Sequence, residues 1–115
     1  MIRKKEAQKI EYKCIRNGNG ETEMRNILES REELFGKGRM FNHMILAPGR
    51  SIGEHEHTGE CEVFYFLSGT GTYNDNGNSV KVAPGDTTMC GDGERHALVN
   101  DGDEPLEFIA LILDC

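Results

Sequence analysis

Short apolar runs recur between Gly, Pro, Asn and Asp residues down to the C-terminus of this chain, and helical periodicity is hard to find. A chain patterned this way has no continuous helical stripe on which to build a core. It folds as short strands, the pattern of an all-β sandwich or barrel. Strands are expected near 22–29, 39–47, 51–57, 61–68, 71–74, 79–83, 86–90, 96–100 and 105–113. Between two of these runs lies Asp75-Asn76-Gly77-Asn78, where Asn-Gly supplies the positive φ angles of a tight hairpin. Ser30 followed three residues later by Glu33 fits a capping box, so Ser30 to Leu34 reads as one helical turn.

Two runs, Val63 to Leu67 and Leu106 to Leu113, are apolar on nearly every residue, so both faces of those strands need cover. In the second run either Phe108, Ala110 and Ile112 or Ile109, Leu111 and Leu113 line the interior. The other set must meet the N-terminal strands or a second subunit, and a homodimer is expected. With 115 residues the chain fits one domain, 1–115.

The net charge of −7, from 20 acidic against 13 basic residues, argues against a nucleic-acid partner. The one basic cluster, Arg3-Lys4-Lys5, reads as a solvated tail. No run approaches the roughly 20 apolar residues of a membrane span, and Met1 to Ile10 lacks the apolar core of a signal peptide. Cys14, Cys61, Cys90 and Cys115 are too widely spaced for a zinc ribbon or a disulfide framework. Reduced thiols in a cytoplasmic protein are the expectation.

The chemistry concentrates at His55, His57, Glu62 and His96. Residues i and i+2 of a strand share a face, so His55 and His57 aim at one point, and Glu62 joins them after the turn Thr58-Gly59-Glu60-Cys61. Three imidazoles and a carboxylate suit a divalent transition metal, Fe, Mn, Ni or Zn, better than Ca or Mg. In full, the two segments are Gly49-x5-His55-x-His57-x4-Glu62-x6-Gly69 and Gly85-x5-Gly91-x-Gly93-x2-His96-x3-Asn100. They resemble the paired motifs of the cupin superfamily, departing only at Gly91, where that family usually has proline and where the turn should loosen.

The resemblance implies a double-stranded β-helix, or jelly-roll barrel, over 39–113, with 1–38 as N-terminal strands and a connecting loop. By the same resemblance His55, His57, Glu62 and His96 are metal ligands near one end of the barrel. Strand parity then puts Phe64, Phe66 and Leu98 on the pocket wall, Asn100 at a turn, and Cys61 outward. Cys90 reads as a buried thiol, and His43 lies outside the ligand frame. Glu54 and Glu56 face away from the metal; if they or Glu60 reach the pocket mouth, the local field would disfavour dianions such as sugar phosphates and oxalate unless Arg39, Arg50 or Arg95 offsets it. The expected function is a metal-dependent enzyme of dioxygenase, isomerase or decarboxylase type acting on a small molecule. The alternative is a non-catalytic ligand-binding or sensing cupin with a structural metal. No catalytic acid or base is assigned; Glu60 leads, with Tyr65 and Tyr73 reaching the pocket only if strand parity is broken.

Overall fold

The structure, a computed structural model, describes residues 1–115. Ten strands form two antiparallel sheets: β1 (Ile10–Lys13), β2 (Thr22–Leu28), β3 (Gly38–Leu46), β4 (Ser51–Glu56), β5 (Glu60–Ser68), β6 (Gly71–Asp75), β7 (Asn78–Val82), β8 (Thr87–Cys90), β9 (Arg95–Val99) and β10 (Leu106–Asp114). One sheet runs β1-β2-β3-β10-β5-β8 and the other β4-β9-β6-β7. This is the jelly-roll arrangement. Alternation of buried and less buried residues along β2, β3, β5, β9 and β10 turns one face of each strand inward. There Phe64, Phe66, Leu98, Leu106, Phe108 and their neighbours form one core between the sheets. Phe108 packs between Phe64 and Phe66, with ring centroids 4.8 and 5.5 Å away.

The Asn76-Gly77 turn closes the β6–β7 hairpin as expected, both residues having positive φ, 51° and 97°. Ser30 caps the following turn through the Glu33 N–H at 3.2 Å. The Glu33 carboxylate reaches the Glu29 N–H at 2.7 Å instead of Ser30, and the segment forms turns without becoming a helix. Phe35 and Gly36 stop it by adopting positive φ. Strand β1 escaped the sequence pattern because Ile10-Glu11-Tyr12-Lys13 buries no residue; its edge pairing with β2 holds it. The 3₁₀ turn Lys5–Ala7 was likewise unsignalled.

Phe108, Ala110 and Ile112 are the inward set of β10, and Ile109, Leu111 and Leu113 face out. The N-terminal strands do not lie over that outer face. They extend the sheet edgewise through the β2–β3 pairing, leaving Tyr65, Leu67 and Met89 at 46, 43 and 71 % exposure beside it. His43 is also on this face, 2.8 Å from Glu107 and remote from the histidine cluster.

Candidate metal centre

A bulge in β4 aims the histidines. Ile52 pairs with Leu98, but the next register pair is His55 with His96, so β4 advances three residues while β9 advances two. Without the extra residue, continued alternation from buried Ile52 would turn Glu54 and Glu56 inward and His55 outward. With it, His55 is buried and Glu54 and Glu56 are exposed, both beside Arg95. Gly53 permits the bend: a Cβ there would sit 1.9 Å from the Arg16 carbonyl oxygen.

Strands β4, β5 and β9 and the β4–β5 turn then bring four donor groups to one point, with His55, His57, Glu62 and His96 all buried. Each imidazole is fixed from behind at Nδ1. The His55 acceptor is the Gly53 carbonyl at 2.7 Å, that of His57 is Glu60 Oε1 at 3.0 Å, and that of His96 is the Tyr73 hydroxyl at 2.8 Å. The Gly53 carbonyl and the Glu60 carboxylate only accept, so Nδ1 carries the proton on His55 and His57; with the Tyr73 hydroxyl accepting from His96 as well, every Nε2 can present a lone pair to the centre. Phe64 stacks on the His96 ring, 5.2 Å between centroids, and fixes its plane.

Three imidazole nitrogens and a carboxylate oxygen converging at this range suit a cation, and their spacing fits one. The Nε2 atoms are 3.0, 3.1 and 3.2 Å apart, and Glu62 Oε1 lies 3.0 Å from those of His57 and His96 but 4.0 Å from that of His55. Four tetrahedral ligands would be equally spaced. Four corners of an octahedron give five short edges and one diagonal longer by a factor of about 1.4, with edges of about 3.0 Å for bonds near 2.1 Å. Five short separations and one long one match four corners of an octahedron, so His55, His57, Glu62 and His96 would suit a six-coordinate divalent ion.

Burial would raise the Glu62 pKa, but the three imidazoles gathered around it outweigh burial and hold the carboxyl well below the usual range, so it stays ionised. His57 is correspondingly raised, chiefly by Glu62. Glu60 is no free acid or base: both Arg39 nitrogens grip its oxygens at 2.8 Å, and with His57 they hold it at about 2. Tyr73 points inward by regular alternation, with no break in parity, and burial pushes its pKa up; Tyr65 is on the outer face. Buried Cys90, raised to about 11 by burial, remains a thiol, and Cys61 is half-buried on the outward side of β5. Asn100 secures its turn through the Leu46 and Glu104 carbonyls, both at 2.8 Å. The turn at Gly91 is pinned despite the missing proline. Glu94 accepts the Gly91 N–H at 2.7 Å, and Gly93 N–H and the Glu94 carbonyl bond to His57 at 2.7 and 3.1 Å.

A cavity of about 240 Å³ opens over His55, His57 and Glu62. Of the expected wall, Phe64 lines it; Phe66 and Leu98 do not, because they lie deeper on their strands and are consumed by the core at 0 and 1 % exposure. Met24, Met40, Met44, Ile52 and Ile112 complete the apolar side. Lys13, Cys14, Ile15 and Arg16 contribute as well, although nothing in their sequence ties them to the site. The run Arg16-Asn17-Gly18-Asn19-Gly20 signals a tight turn but not where that turn docks.

A double-stranded β-helix with a buried His₃Glu cluster able to hold a metal is the arrangement of a cupin. The sequence model of the family described as Cupin domain matches residues 42–112, and this chain belongs to that family. An oxalate-binding protein from Thermotoga maritima is 40 % identical over 113 residues, covering 98 % of this chain and 93 % of the relative. A Thermotoga maritima crystal structure described as a predicted oxalate decarboxylase superposes with a TM-score of 0.93 at 39 % identity over the whole of both chains. A Klebsiella pneumoniae protein with a double-stranded β-helix domain shares the fold alone, with a TM-score of 0.70 at 24 % identity over 88 % of this chain and 84 % of that one.

Proposed function

We propose that this protein binds a short dicarboxylate of the oxalate type on a divalent metal held by His55, His57, Glu62 and His96. The observation that carries this reading is a local inversion of charge. In a chain whose acids outnumber its bases 20 to 13, the cavity is lined by Lys13, Arg16 and Arg39 against the single carboxylate of Glu62, and with Lys13 paired to Glu11 and Arg39 to Glu60 the unpaired cation of the lining is Arg16. The acidic residues that would have repelled a dianion are paired away from the cavity, Glu54 and Glu56 sharing Arg95 and Glu60 held by Arg39. The bound ion would supply Lewis-acid affinity for carboxylate oxygens, and the octahedral spacing favours Mn, Fe or Ni over tetrahedral Zn. The name of the Thermotoga relative supports the same ligand class. Calorimetric titration of manganese-loaded protein with oxalate tests it; no saturable heat with the loaded protein would sink the reading.

Capture is better supported than turnover. A reaction on a bound dicarboxylate needs a proton donor or acceptor beside it. Here Glu62 faces the cluster, Glu60 and Tyr73 stand behind their imidazoles, and of the remaining titratable lining Lys13 is paired with Glu11 while the Cys14 thiol donates to the Gly18 carbonyl. Decarboxylation is the second reading, supported by the description of the Thermotoga structure. Formate released from oxalate by the manganese-loaded protein would favour it.

The outer face of β10 and β5 supports a homodimer: Ile109, Leu111, Leu113, Val63, Tyr65 and Leu67 form one apolar surface, and a second copy offers its equal across a two-fold axis. Four free cysteines support a reducing, cytoplasmic setting. No helix is long and apolar enough to cross a membrane.

A further inference from the structure

We infer that Arg16, carried over the cavity by the segment Cys14 to Asn19, selects dicarboxylates by taking the carboxylate that the metal does not hold. This rests on the ligand class proposed above. The segment is built into place against its own backbone preference. Arg16 and Asn17 have φ of 54° and 58°, two consecutive non-glycine residues in the left-handed region, where strain persists only if the surroundings impose it.

The surroundings are β4. The Gly53 N–H donates to the Ile15 carbonyl at 3.1 Å, the Ser51 N–H to the Asn19 carbonyl at 2.9 Å, and the Asn19 N–H to Ser51 Oγ at 2.7 Å. The two backbones approach so closely that a Cβ on Gly18 would sit 2.1 Å from the Ser51 oxygen. The outcome is that Arg16 lines the same cavity as His55, His57 and Glu62.

Of the three cations there, Arg39 is gripped by both oxygens of Glu60 and Lys13 lies 3.2 Å from Glu11. Arg16 alone has no carboxylate partner within the protein. A planar guanidinium matches a carboxylate through two parallel N–H donors. Metal at one end and guanidinium at the other reads both acid groups and the distance between them, whereas a monocarboxylate needs the metal alone.

The test is calorimetric titration of the manganese-loaded full chain with oxalate, malonate, succinate and acetate, in wild type, R16Q and R16K. Wild type should bind one diacid at least about tenfold more tightly than acetate, R16Q should lose that preference while acetate affinity stays within about twofold, and R16K should fall between. A diacid preference kept in R16Q, or acetate and diacid weakened equally, overturns the role of Arg16 and leaves the proposed function standing. Diacid binding in wild type no tighter than acetate overturns both. Should R16Q fail to fold, an unchanged diacid preference in R16K overturns the assignment by itself.

Discussion

Replacing Tyr73 with Phe removes one oxygen from behind one ligand, and the structure says in which state the loss is felt. The hydroxyl lies 2.8 Å from His96 Nδ1, with Tyr73 3 % exposed and His96 1 % exposed, so water cannot take its place. With Nε2 committed to a metal, Nδ1 must keep its proton and loses its only acceptor, a buried unsatisfied donor costing about 1–3 kcal/mol. In the metal-free protein the ring escapes this by changing tautomer. Nε2–H can then donate to Glu62 Oε1, 3.0 Å away, leaving Nδ1 without a proton to satisfy. The cost therefore falls on the loaded state, and metal affinity should drop roughly 10- to 100-fold while the metal-free protein loses less than about 1 kcal/mol. Competition of Mn or Co against a chelator measures the first, and denaturant unfolding of the stripped protein the second. Tyr65→Phe on the outer face is the control. Affinity within threefold of wild type would show that Tyr73 does not orient His96; a full loss of stability in the stripped protein would show that it acts by packing alone.

His55→Ala and His96→Ala should each strip metal from purified protein, whereas His43→Ala should not, because His43 pairs with Glu107 on the opposite face of the sheet; equal metal content in all three would dissolve the assignment. Metal affinity should also depend on pH. Glu62 raises the His57 pKa above its ordinary 6.5 in the metal-free protein, so a metal must displace a proton below that raised value and none above it. Affinity should decline by up to about tenfold per pH unit per proton as pH falls through it, and a chelator titration that stays flat down to pH ~5.5 would contradict this. Leu111→Asp places a charge at the centre of the apolar outer face and should convert a sedimenting dimer to monomer; a wild-type monomer at micromolar concentration refutes the interface. Gly53→Ala should cost roughly 2–3 kcal/mol and speed amide exchange at residues 15–19, since its Cβ would meet the Arg16 carbonyl at 1.9 Å. An unfolding midpoint equal to wild type would show that the backbone yields freely.

Much of the site was legible because its information is local. His55, His57, Glu62 and His96 sit in two short segments whose glycines mark the turns, and parity along β5 and β9 correctly faced Glu62 and His96 inward. Depth along a strand is not local. Parity put Phe66 and Leu98 on the same side as the ligands, but how far down the barrel each falls depends on pairing with distant strands, and the core took both. The rear supports were half visible. Glu60 stood out by proximity, but which of Arg39, Arg50 and Arg95 would pair with it was not readable, because Arg39 lies 21 residues away in sequence. The N-terminal contribution was invisible, since Ile15 and Arg16 are docked at the cavity by the bond from the Gly53 N–H of β4, more than 30 residues later, and Lys13 by an edge pairing with β2 that buries no residue of β1.

The bulge in β4 joins these threads. A simple strand from Ser51 to His57 has the wrong phase: buried Ile52 and buried His55 differ by an odd number of residues, so one of them would have to face solvent. The extra residue corrects the phase but breaks the ladder to β9 and leaves the Gly53 N–H without a partner there. Ile15 supplies the acceptor, and the Gly53 carbonyl in turn fixes His55 Nδ1. One glycine thus has its N–H on the N-terminal segment and its C=O on a metal-facing imidazole. The segment that carries Arg16 and the His55 ring are held by the same peptide neighbourhood, so a change that frees residues 15–19 should also loosen His55.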